Sequence, residues 1–226
     1  MSIKKVWDGI FLVGGQKISD MRDCSVYLID FEGELVFIDS GAGPGMEKIL
    51  HNVKKLGFDP KKISTVILTH CHIDHAGGAR RLKSEFEARI FIHERDARAV
   101  ETGDVIRTAA SWYNLSFPPL SVDYKMTGKE EKLYFTGQEL VCLHTPGHTP
   151  GSISLYLERN GKKVLFGQDI HGPFRTEFGS NLIDWQVSME MLLALEADIL
   201  CEGHFGVYEP KSRVREYIER YLDEYG

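Results

Sequence analysis

The sequence lacks any long apolar run. Its 226 residues contain no stretch approaching the roughly 18 apolar residues that a membrane-spanning helix requires. The first residues, from Met1 to Asp8, show no long apolar segment after their lysines and therefore do not resemble a signal peptide. We expect no membrane partner and a cytoplasmic location.

Cysteine is scarce, and positive charge is not in excess. The four cysteines form no Cys-x-x-Cys pair, so isolated buried thiols are expected rather than two disulfides; they are Cys24, Cys71, Cys142 and Cys201. The 27 basic and 33 acidic side chains give a formal net charge of −6. This balance gives no electrostatic support for a nucleic-acid or anionic-membrane partner, so a small-molecule substrate is favoured. The oligomeric state stays open, a homo-oligomer included.

What is present is the composition of a globular domain with a substantial core. Hydrophobic residues make up 42% of the chain and charged residues 27%. No low-complexity linker or internal repeat interrupts the sequence, and we interpret residues 1–226 as a single domain. Runs of β-branched and aromatic residues alternate with segments of helical periodicity. This pattern favours sheets covered by helices, an α/β architecture.

The predicted elements follow from hydrophobic periodicity. Strands are predicted at 24–31, 34–39, 63–68, 89–93, 139–144, 152–157, 163–166 and 199–201. Helices are predicted from 46 to about 56, from 79 to about 86, around 185–195 and from 210 onwards. For residues 94–120 we predict a helix to about Tyr113 and then a loop.

A cluster of metal-binding side chains follows the predicted strand at 63–68. His70, His72, Asp74 and His75 fall within six residues. In an extended chain, residues two apart share a face, so His70 and His72 can point together. The turn that follows lets Asp74 and His75 address a neighbouring point. Because imidazole and carboxylate are ligands of zinc, iron and manganese, the spacing predicts a metal site.

Further candidate ligands stand at the ends of later strands. His148 lies in a loop framed by glycine and proline, Asp169 follows the strand at 163–166, and His204 follows the strand at 199–201. A catalytic zinc usually has three protein ligands and one open position for water. The full set of candidates therefore predicts two metal ions rather than one.

These motifs, in this order, closely resemble the metallo-β-lactamase superfamily. The resemblance extends from Ile38-Asp39-Ser40-Gly41 to Gly203-His204 and includes the specific His-x-His-x-Asp-His motif. It implies a four-layered αβ/βα sandwich, in which two mixed sheets face each other, helices lie outside and the site lies at one edge. It also implies the ligand sets: His70, His72 and His148 for the first metal, Asp74, His75 and His204 for the second, and Asp169 as the bridge between them.

Within the superfamily, His75 and the segment Thr145-Pro146-Gly147-His148-Thr149-Pro150-Gly151 look most like glyoxalase II and lactone hydrolases. The resemblance implies a hydrolase of small esters, thioesters or lactones. Two features depart from it. The sequence Asp169-Ile170-His171-Gly172 is unusual after the bridging aspartate, and only one helix follows His204, whereas glyoxalase II carries a helical C-terminal domain. From the second departure we predict that the protein is not a dedicated glutathione-thioester hydrolase.

The expected cofactors are two divalent metal ions, with zinc the first choice and iron or manganese the alternatives. Two ions about 3.5–4 Å apart would share a water and generate hydroxide near neutral pH for attack on a carbonyl or phosphoryl centre. Asp74 could orient this nucleophile or serve only as a ligand. His171 could donate a hydrogen bond to a substrate oxyanion or be an ordinary loop histidine. The resemblance implies that Asp39 hydrogen-bonds near the ligands and orients them; the alternative is an aspartate that opens a turn.

Trp112, Tyr113 and Phe117 lie in the segment that often walls the substrate pocket in this superfamily, although aromatic residues there are as often packing residues. Other functions stay open. A persulfide dioxygenase-like oxidoreductase would use a single iron held by two histidines and an aspartate. A phosphodiesterase or nuclease, or a β-lactamase, would act on other bonds. A binding module would use metal only structurally, but seven ligands exceed what a closed structural site needs.

Overall fold

Two β-sheets face each other, and helices cover their outer faces. The computed structural model describes residues 3–226, so the first two residues of the segment judged not to be a signal peptide lie outside the described residues. The architecture is the four-layered αβ/βα sandwich predicted from the sequence motifs. Within residues 3–226, no helix combines the length and apolar character needed to cross a membrane.

The first sheet has seven strands in the order β1 to β7. They are β1 (Lys4–Trp7), β2 (Ile10–Gly14), β3 (Val26–Phe31), β4 (Glu34–Ile38), β5 (Ile63–Ile67), β6 (Arg89–His93) and β7 (Tyr124–Met126). β1 to β4 pair antiparallel, and β4 to β7 pair parallel. Helices connect the parallel strands: α1 (Met46–Lys55), α2 (Ile73–Ala76), α3 (Ala79–Phe86) and α4 (Glu94–Thr102).

The second sheet has six strands in the order β13-β12-β11-β10-β9-β8. They are β8 (Glu130–Phe135), β9 (Gln138–His144), β10 (Ile153–Arg159), β11 (Lys162–Gln168), β12 (Ile199–Glu202) and β13 (Val207–Tyr208). Only β11 and β12 pair in parallel; the other neighbours are antiparallel. Helices α5 (Leu182–Ala194) and α6 (Lys211–Tyr225) cover the outer face of this sheet.

Strand β3 shows why the central strands are apolar without interruption. Tyr27, Ile29 and Phe31 enter the core between the sheets, whereas Val26 and Leu28 enter the core beneath the helices of the first sheet. Successive side chains of a strand point to opposite faces, so a strand covered on both faces needs apolar residues at every position. The sandwich therefore holds three apolar layers, one between the sheets and one under each set of helices.

Most of the predicted elements are present, but the extent of one helix was wrong. Helix α4 ends at Thr102 rather than near Tyr113, because Gly103 adopts a left-handed conformation with φ of +69° and closes the helix. Residues 73–76 form a short helix rather than the turn predicted there. The prediction also missed five short strands: β1, β2, β7, β8 and β13. The four cysteines are all buried and unpaired, as predicted.

The ligand-bearing segments leave the two sheets at one edge of the sandwich. The first cluster follows β5, and the loop with His148 joins β9 to β10. Asp169 directly follows β11, and His204 follows β12 after Gly203. Parallel pairing of β11 with β12 brings these last two residues out at the same end. The topology therefore places four separate stretches of sequence around one point.

Candidate metal centre

Seven buried or nearly buried side chains converge at this edge in two groups. Within each group the ligand atoms lie within 4.8 Å of one another. The first group contains His70, His72, His148 and Asp169, and the second contains Asp74, His75, His204 and Asp169. The structure thus brings together every ligand predicted from the sequence, in the two predicted sets.

Asp169 stands between the groups and presents one oxygen to each. Its Oδ2 lies 3.9 Å from His70 Nε2 and 3.6 Å from His148 Nε2. Its Oδ1 lies 3.2 Å from His75 Nε2 and 3.3 Å from His204 Nε2. This is the arrangement expected of a carboxylate that bridges two sites.

The spacing fits metal ligation. A tetrahedral metal with ligand distances of about 2.0–2.2 Å holds its ligand atoms about 3.3–3.6 Å apart. In the second group, Asp74 Oδ2 lies 3.3 Å from His204 Nε2 and 3.6 Å from His75 Nε2. Among the described residues, the buried atoms His70 Nε2, His75 Nε2 and Asp169 Oδ1 have no hydrogen-bond partner. Buried polar atoms rarely lack a partner, so the residues present fit a metal centre.

Hydrogen bonds behind the ligands set which ring nitrogen faces the centre. His75 donates from Nδ1 to Asp39 Oδ2 over 2.7 Å, which leaves Nε2 for the site. The Thr69 hydroxyl donates to Asp39 and accepts from His70 Nδ1 at 3.1 Å, so Nε2 of His70 is free as well. His148 donates from Nδ1 to the carbonyl of Pro173 over 2.9 Å. Such partners orient metal-binding imidazoles and make them better ligands.

Asp39 has the contacts implied by the resemblance and is more than an aspartate that opens a turn. It is fully buried and also accepts hydrogen bonds from the backbone of Thr69 and from Gln168 Nε2. Asp39 and Gln168 both adopt left-handed backbone conformations, with φ of +62° and +48°. Such conformations cost non-glycine residues about 1 kcal/mol or more and concentrate at functional sites. Gln168 directly precedes Asp169, so this strained backbone fixes the direction in which the chain presents the Asp169 carboxylate.

The histidines of the first group are held neutral. Burial lowers the pKa of His70 and of His72 well below the ordinary value. Burial also lowers the pKa of His148 to about 4, although the nearby Asp169 opposes this shift. A metal ligand must offer a deprotonated nitrogen, so these three rings are ready to bind without losing a proton.

The second group has the opposite electrostatic character in the metal-free protein. Burial alone would lower the pKa of His204, but Asp169 and Asp74 outweigh it and raise the pKa to about 10. The pKa of His75 is likewise raised well above its ordinary value, against burial, by Cys24, Asp169 and Asp39. Burial would raise the pKa of Asp74, but His75 and His204 lower it to about 2. Two protonated imidazoles thus balance the carboxylates where a second cation would bind.

A family model described as the metallo-beta-lactamase superfamily matches residues 20–204. The chain belongs to the metallo-β-lactamase superfamily. It is 30% identical over 194 residues to the hydroxyacylglutathione hydrolase GloC of Haemophilus influenzae, an alignment that covers 83% of this chain and 86% of GloC. It is 25% identical over 203 residues to the human acyl-coenzyme A thioesterase MBLAC2, covering 80% and 68% of the two chains.

The fold agrees with that assignment. BJP-1, a subclass B3 metallo-β-lactamase of Bradyrhizobium japonicum, superposes with a TM-score of 0.83 at 22% identity, over 99% of this chain and 92% of that one. The chain is therefore a metallo-hydrolase of the metallo-β-lactamase superfamily, with His and Asp clusters suited to divalent metal.

The three predicted pocket aromatics of this superfamily member lie in different environments. Trp112 is half exposed and packs at 4.9 Å against Phe178, which in turn contacts the ring of His72 at 4.3 Å. Burial raises the pKa of Tyr113, and the neighbouring Asp74 adds to the shift. Phe117 is instead buried in the core beneath the helices and borders a separate cavity of about 350 Å³ that none of the seven ligands lines. Trp112 and Tyr113 thus lie close to the candidate metal centre, whereas Phe117 lines that separate cavity.

Sequence reasoning missed Phe178 and two buried carboxylates that hold the ligand loops. Asp96 accepts hydrogen bonds from the loops that carry His72 and His148. Glu202 accepts from His171 and from the backbone at His204. Asp96 lies in helix α4 and Glu202 in strand β12, and neither belongs to a sequence motif. The only available signal for Glu202 was its place two residues before a predicted ligand.

Proposed function

We propose that this superfamily member hydrolyses a small ester, thioester or lactone at a two-metal centre, with zinc as the first choice of metal. The observation that carries the proposal is the position of Asp169, whose two oxygens face two different groups of histidines. A single metal ion could be held by the first group alone, with its three histidines and Asp169. Asp74, His75 and His204 would then have no role as ligands.

Metal ions bound there would supply a hydroxide nucleophile near neutral pH and polarise the oxygen of the bond under attack. The protein's own residues supply the geometry. Asp39 orients one imidazole of each group, directly for His75 and through Thr69 for His70. Asp74 directs its carboxylate towards His75 and His204, which supports a role as a ligand and leaves open a second role in orienting the nucleophile.

The relatives support an acyl substrate. One is named a hydroxyacylglutathione hydrolase and another an acyl-coenzyme A thioesterase, and both names describe cleavage of a thioester. The half-exposed Trp112 and the buried Phe178 give an apolar wall beside His72, where an acyl group could pack. The acidic net charge of −6 remains an argument against a nucleic-acid substrate. Thioesters are therefore the first class to test.

The short segment after His204 does not decide whether the substrate is a glutathione thioester or another thioester. The alignment covers 86% of GloC, so a relative of similar length is named for a glutathione substrate. The prediction that the protein is not dedicated to glutathione thioesters thus loses its main support and needs a direct measurement of substrate preference.

The test combines a metal count with a substrate screen. We expect elemental analysis of protein reconstituted with zinc to show about two ions per chain. We expect hydrolysis of thioesters or lactones in preference to a β-lactam or a phosphodiester. His204→Ala should lose one of the two ions, whereas His51→Ala, which changes an exposed histidine on α1, should lose neither.

Three results would contradict the proposal. One tightly held iron per chain, with oxygen uptake in the presence of a persulfide, would identify a dioxygenase-like oxidoreductase instead. Cleavage of phosphodiesters alone would identify a phosphodiesterase or nuclease. A metal count that is equal in His204→Ala and His51→Ala would show that the second group does not bind metal.

A further inference from the structure

The cavity of about 350 Å³ that Phe117 borders lies beside helix α3, apart from the metal centre. One wall carries Gly77, Arg80 and Ser84, whose spacings of three and four residues place them on one helical face. The segment 116–120 lies opposite. At about 30 Å³ for each water, the cavity has room for about twelve water molecules. It can therefore admit an organic molecule of about ten non-hydrogen atoms.

The cavity has an apolar floor and an end that no side chain fills. Phe117 and Leu120 are both buried and belong to the core beneath the helices of the first sheet. Four small residues form the end: Ala42, Gly43, Ala76 and Gly77. The N–H of Gly78 donates to the carbonyl of Gly41 over 2.9 Å. A Cβ at Gly77 would overlap the carbonyl of Ala42. The two loops thus meet backbone to backbone, which keeps the space beside them open.

The charged groups at the cavity are two arginines with different partners. Arg81 is neutralised, because its guanidinium pairs with Glu47 and with Glu85, each over 2.7 Å. Arg80 donates from one nitrogen to the carbonyl of Pro119 over 3.1 Å and, within residues 3–226, forms no ion pair. A guanidinium has five N–H donors, so most of those on Arg80 remain for another partner. The cavity thus offers one uncompensated positive charge in a protein of net charge −6.

We propose that this cavity binds a small amphipathic anion. The apolar body lies against Phe117 and Leu120, and a carboxylate or phosphate head lies on Arg80, with the hydroxyls of Ser84 and Ser116 as further donors. An apolar surface with a few placed polar groups is the usual lining of a small-molecule site. Hydrogen bonds between a guanidinium and an anionic oxygen are among the strong ones. The inference goes beyond the proposed hydrolysis, because the anion is bound at this cavity and is not cleaved there.

Four probes separate the head of the ligand from its body: octanoate, octyl phosphate, octan-1-ol and inorganic phosphate. A well-seated molecule of about ten non-hydrogen atoms should bind with a Kd of about 1 mM or tighter. We expect octanoate or octyl phosphate to reach this affinity, and the tighter of the two identifies the head as carboxylate or phosphate. Octan-1-ol and inorganic phosphate each lack one half of the contact and should bind at least about 10-fold more weakly.

Nitrogen-15 NMR of the backbone amides locates the bound probe. Titration should shift the amide signals of Gly43, Gly77, Ser84 and Ser116, which line the cavity, and leave that of Gly161, in a distant turn, unchanged. The Kd taken from these signals should be the same in metal-free and zinc-loaded protein, because none of the seven predicted metal ligands lines the cavity.

Two variants remove different parts of the site. Arg80→Met removes the charge at an exposed position and should weaken binding of the anionic probe by at least about 10-fold. Arg98→Met makes the same charge change at an exposed position of α4 and should leave the Kd within about twofold. Ser84→Phe places a ring at the exposed rim and should also weaken binding by at least about 10-fold. Melting temperatures of all three variants confirm that they are folded.

Each contrary result would overturn the inference. An anionic probe that binds only to the zinc-loaded protein, and shifts only the loops of the metal centre, would be a metal ligand. Equal affinities for octanoate, octyl phosphate and octan-1-ol, or equal losses in Arg80→Met and Arg98→Met, would show that Arg80 does not hold the head. No shift at the cavity with any probe at about 10 mM would show that no amphipathic anion binds there. The proposed hydrolysis is tested by the metal count and the substrate screen, so either result can fail without the other.

Discussion

Asp96 joins the two loops that carry the first group of ligands, and its removal tests how far these loops depend on one carboxylate. It lies in α4, is 2% exposed, and accepts the N–H of Cys71 over 3.0 Å. It also accepts the Thr149 hydroxyl over 2.7 Å and the N–H of Gly151 over 2.9 Å. Cys71 lies between two predicted ligands, and Thr149 directly follows His148. The carboxylate therefore sets the distance between the loops.

The expected magnitudes follow from the number of donors left without an acceptor. Asp96→Asn keeps one oxygen, so at least one buried N–H meets an N–H₂ group; an unsatisfied buried donor costs about 1–3 kcal/mol. Burial raises the pKa of Asp96 against its hydrogen bonds, so an uncharged amide also recovers some desolvation energy. We therefore expect Asp96→Asn to lower the free energy of unfolding by about 1 kcal/mol. Asp96→Ala leaves two backbone N–H groups unsatisfied and should cost about 2–6 kcal/mol.

Metal affinity should fall together with stability. Loss of a group that orients metal ligands typically costs about 10- to 100-fold in affinity, and we expect that loss at the first group. The assays are denaturant unfolding of the metal-free protein and titration of metal against a competing chelator. Glu94→Gln, at an exposed position of the same helix, is the matched control and should change stability by less than about 0.5 kcal/mol.

Two results would refute this reasoning in different ways. An Asp96→Ala protein as stable as the parent would show that the three hydrogen bonds do not hold the loops. A destabilised Asp96→Ala protein with unchanged metal affinity would show that the loops keep their geometry without the carboxylate.

Three further predictions follow from the centre and its loops. Because the pKa of His204 is raised to about 10 in the metal-free protein, metal binding at pH 7.5 should release at least about one proton, measured by calorimetry in buffers of different ionisation enthalpy. The proton on His204 stabilises the folded metal-free protein fully below about pH 6.5, and this stabilisation is lost as the pH rises through 10. The free energy of unfolding of the metal-free protein should therefore fall between these pH values. A free energy of unfolding that does not change over this range would contradict the assigned pKa. Asp169→Ala should lose metal and cost more activity than His171→Ala, because both ligand groups share Asp169; a larger loss in His171→Ala at normal metal content would contradict the bridge. Gly147→Ala should lower the free energy of unfolding by about 3 kcal/mol or more, because φ is +148° and a Cβ would overlap Trp185. The control Gly161→Ala, at φ of +76° in open space, should cost only about 1 kcal/mol. Equal melting temperatures of the two variants would contradict this account.

The ligand set could be predicted from the sequence because metal chemistry restricts residue type and local geometry restricts spacing. His70, His72, Asp74 and His75 are close in sequence, so the path of a few residues already brings their side chains together. The later ligands each follow an apolar strand, and strand ends at a common sheet edge are a recurrent place for sites. The sandwich followed from the family resemblance and from apolar runs that need cover on both faces.

The errors in the predicted elements have local causes. Helix α4 stops at Gly103, which adopts a left-handed conformation, and glycine at this position is a helix-stop signal that the predicted bounds did not use. Strand β8 (Glu130–Phe135) is largely exposed, and its apolar or aromatic residues are consecutive rather than alternating, so the sequence shows no period-two pattern. Short edge strands are defined by their partners more than by their own residues.

The residues that hold the centre in place could be decided only by the tertiary structure. Asp96 is 25 residues from Cys71 and 55 from Gly151 in sequence, and Gln168 is 129 residues from Asp39. A buried carboxylate or amide in a helix or strand has no characteristic spacing, because its partners are chosen by the packing of distant segments. The sequence by itself therefore determined which side chains can bind metal and roughly where the chain turns. The packing of the two sheets decided which oxygen of Asp169 faces which group, and which ring nitrogen of His70, His75 and His148 is left for a metal.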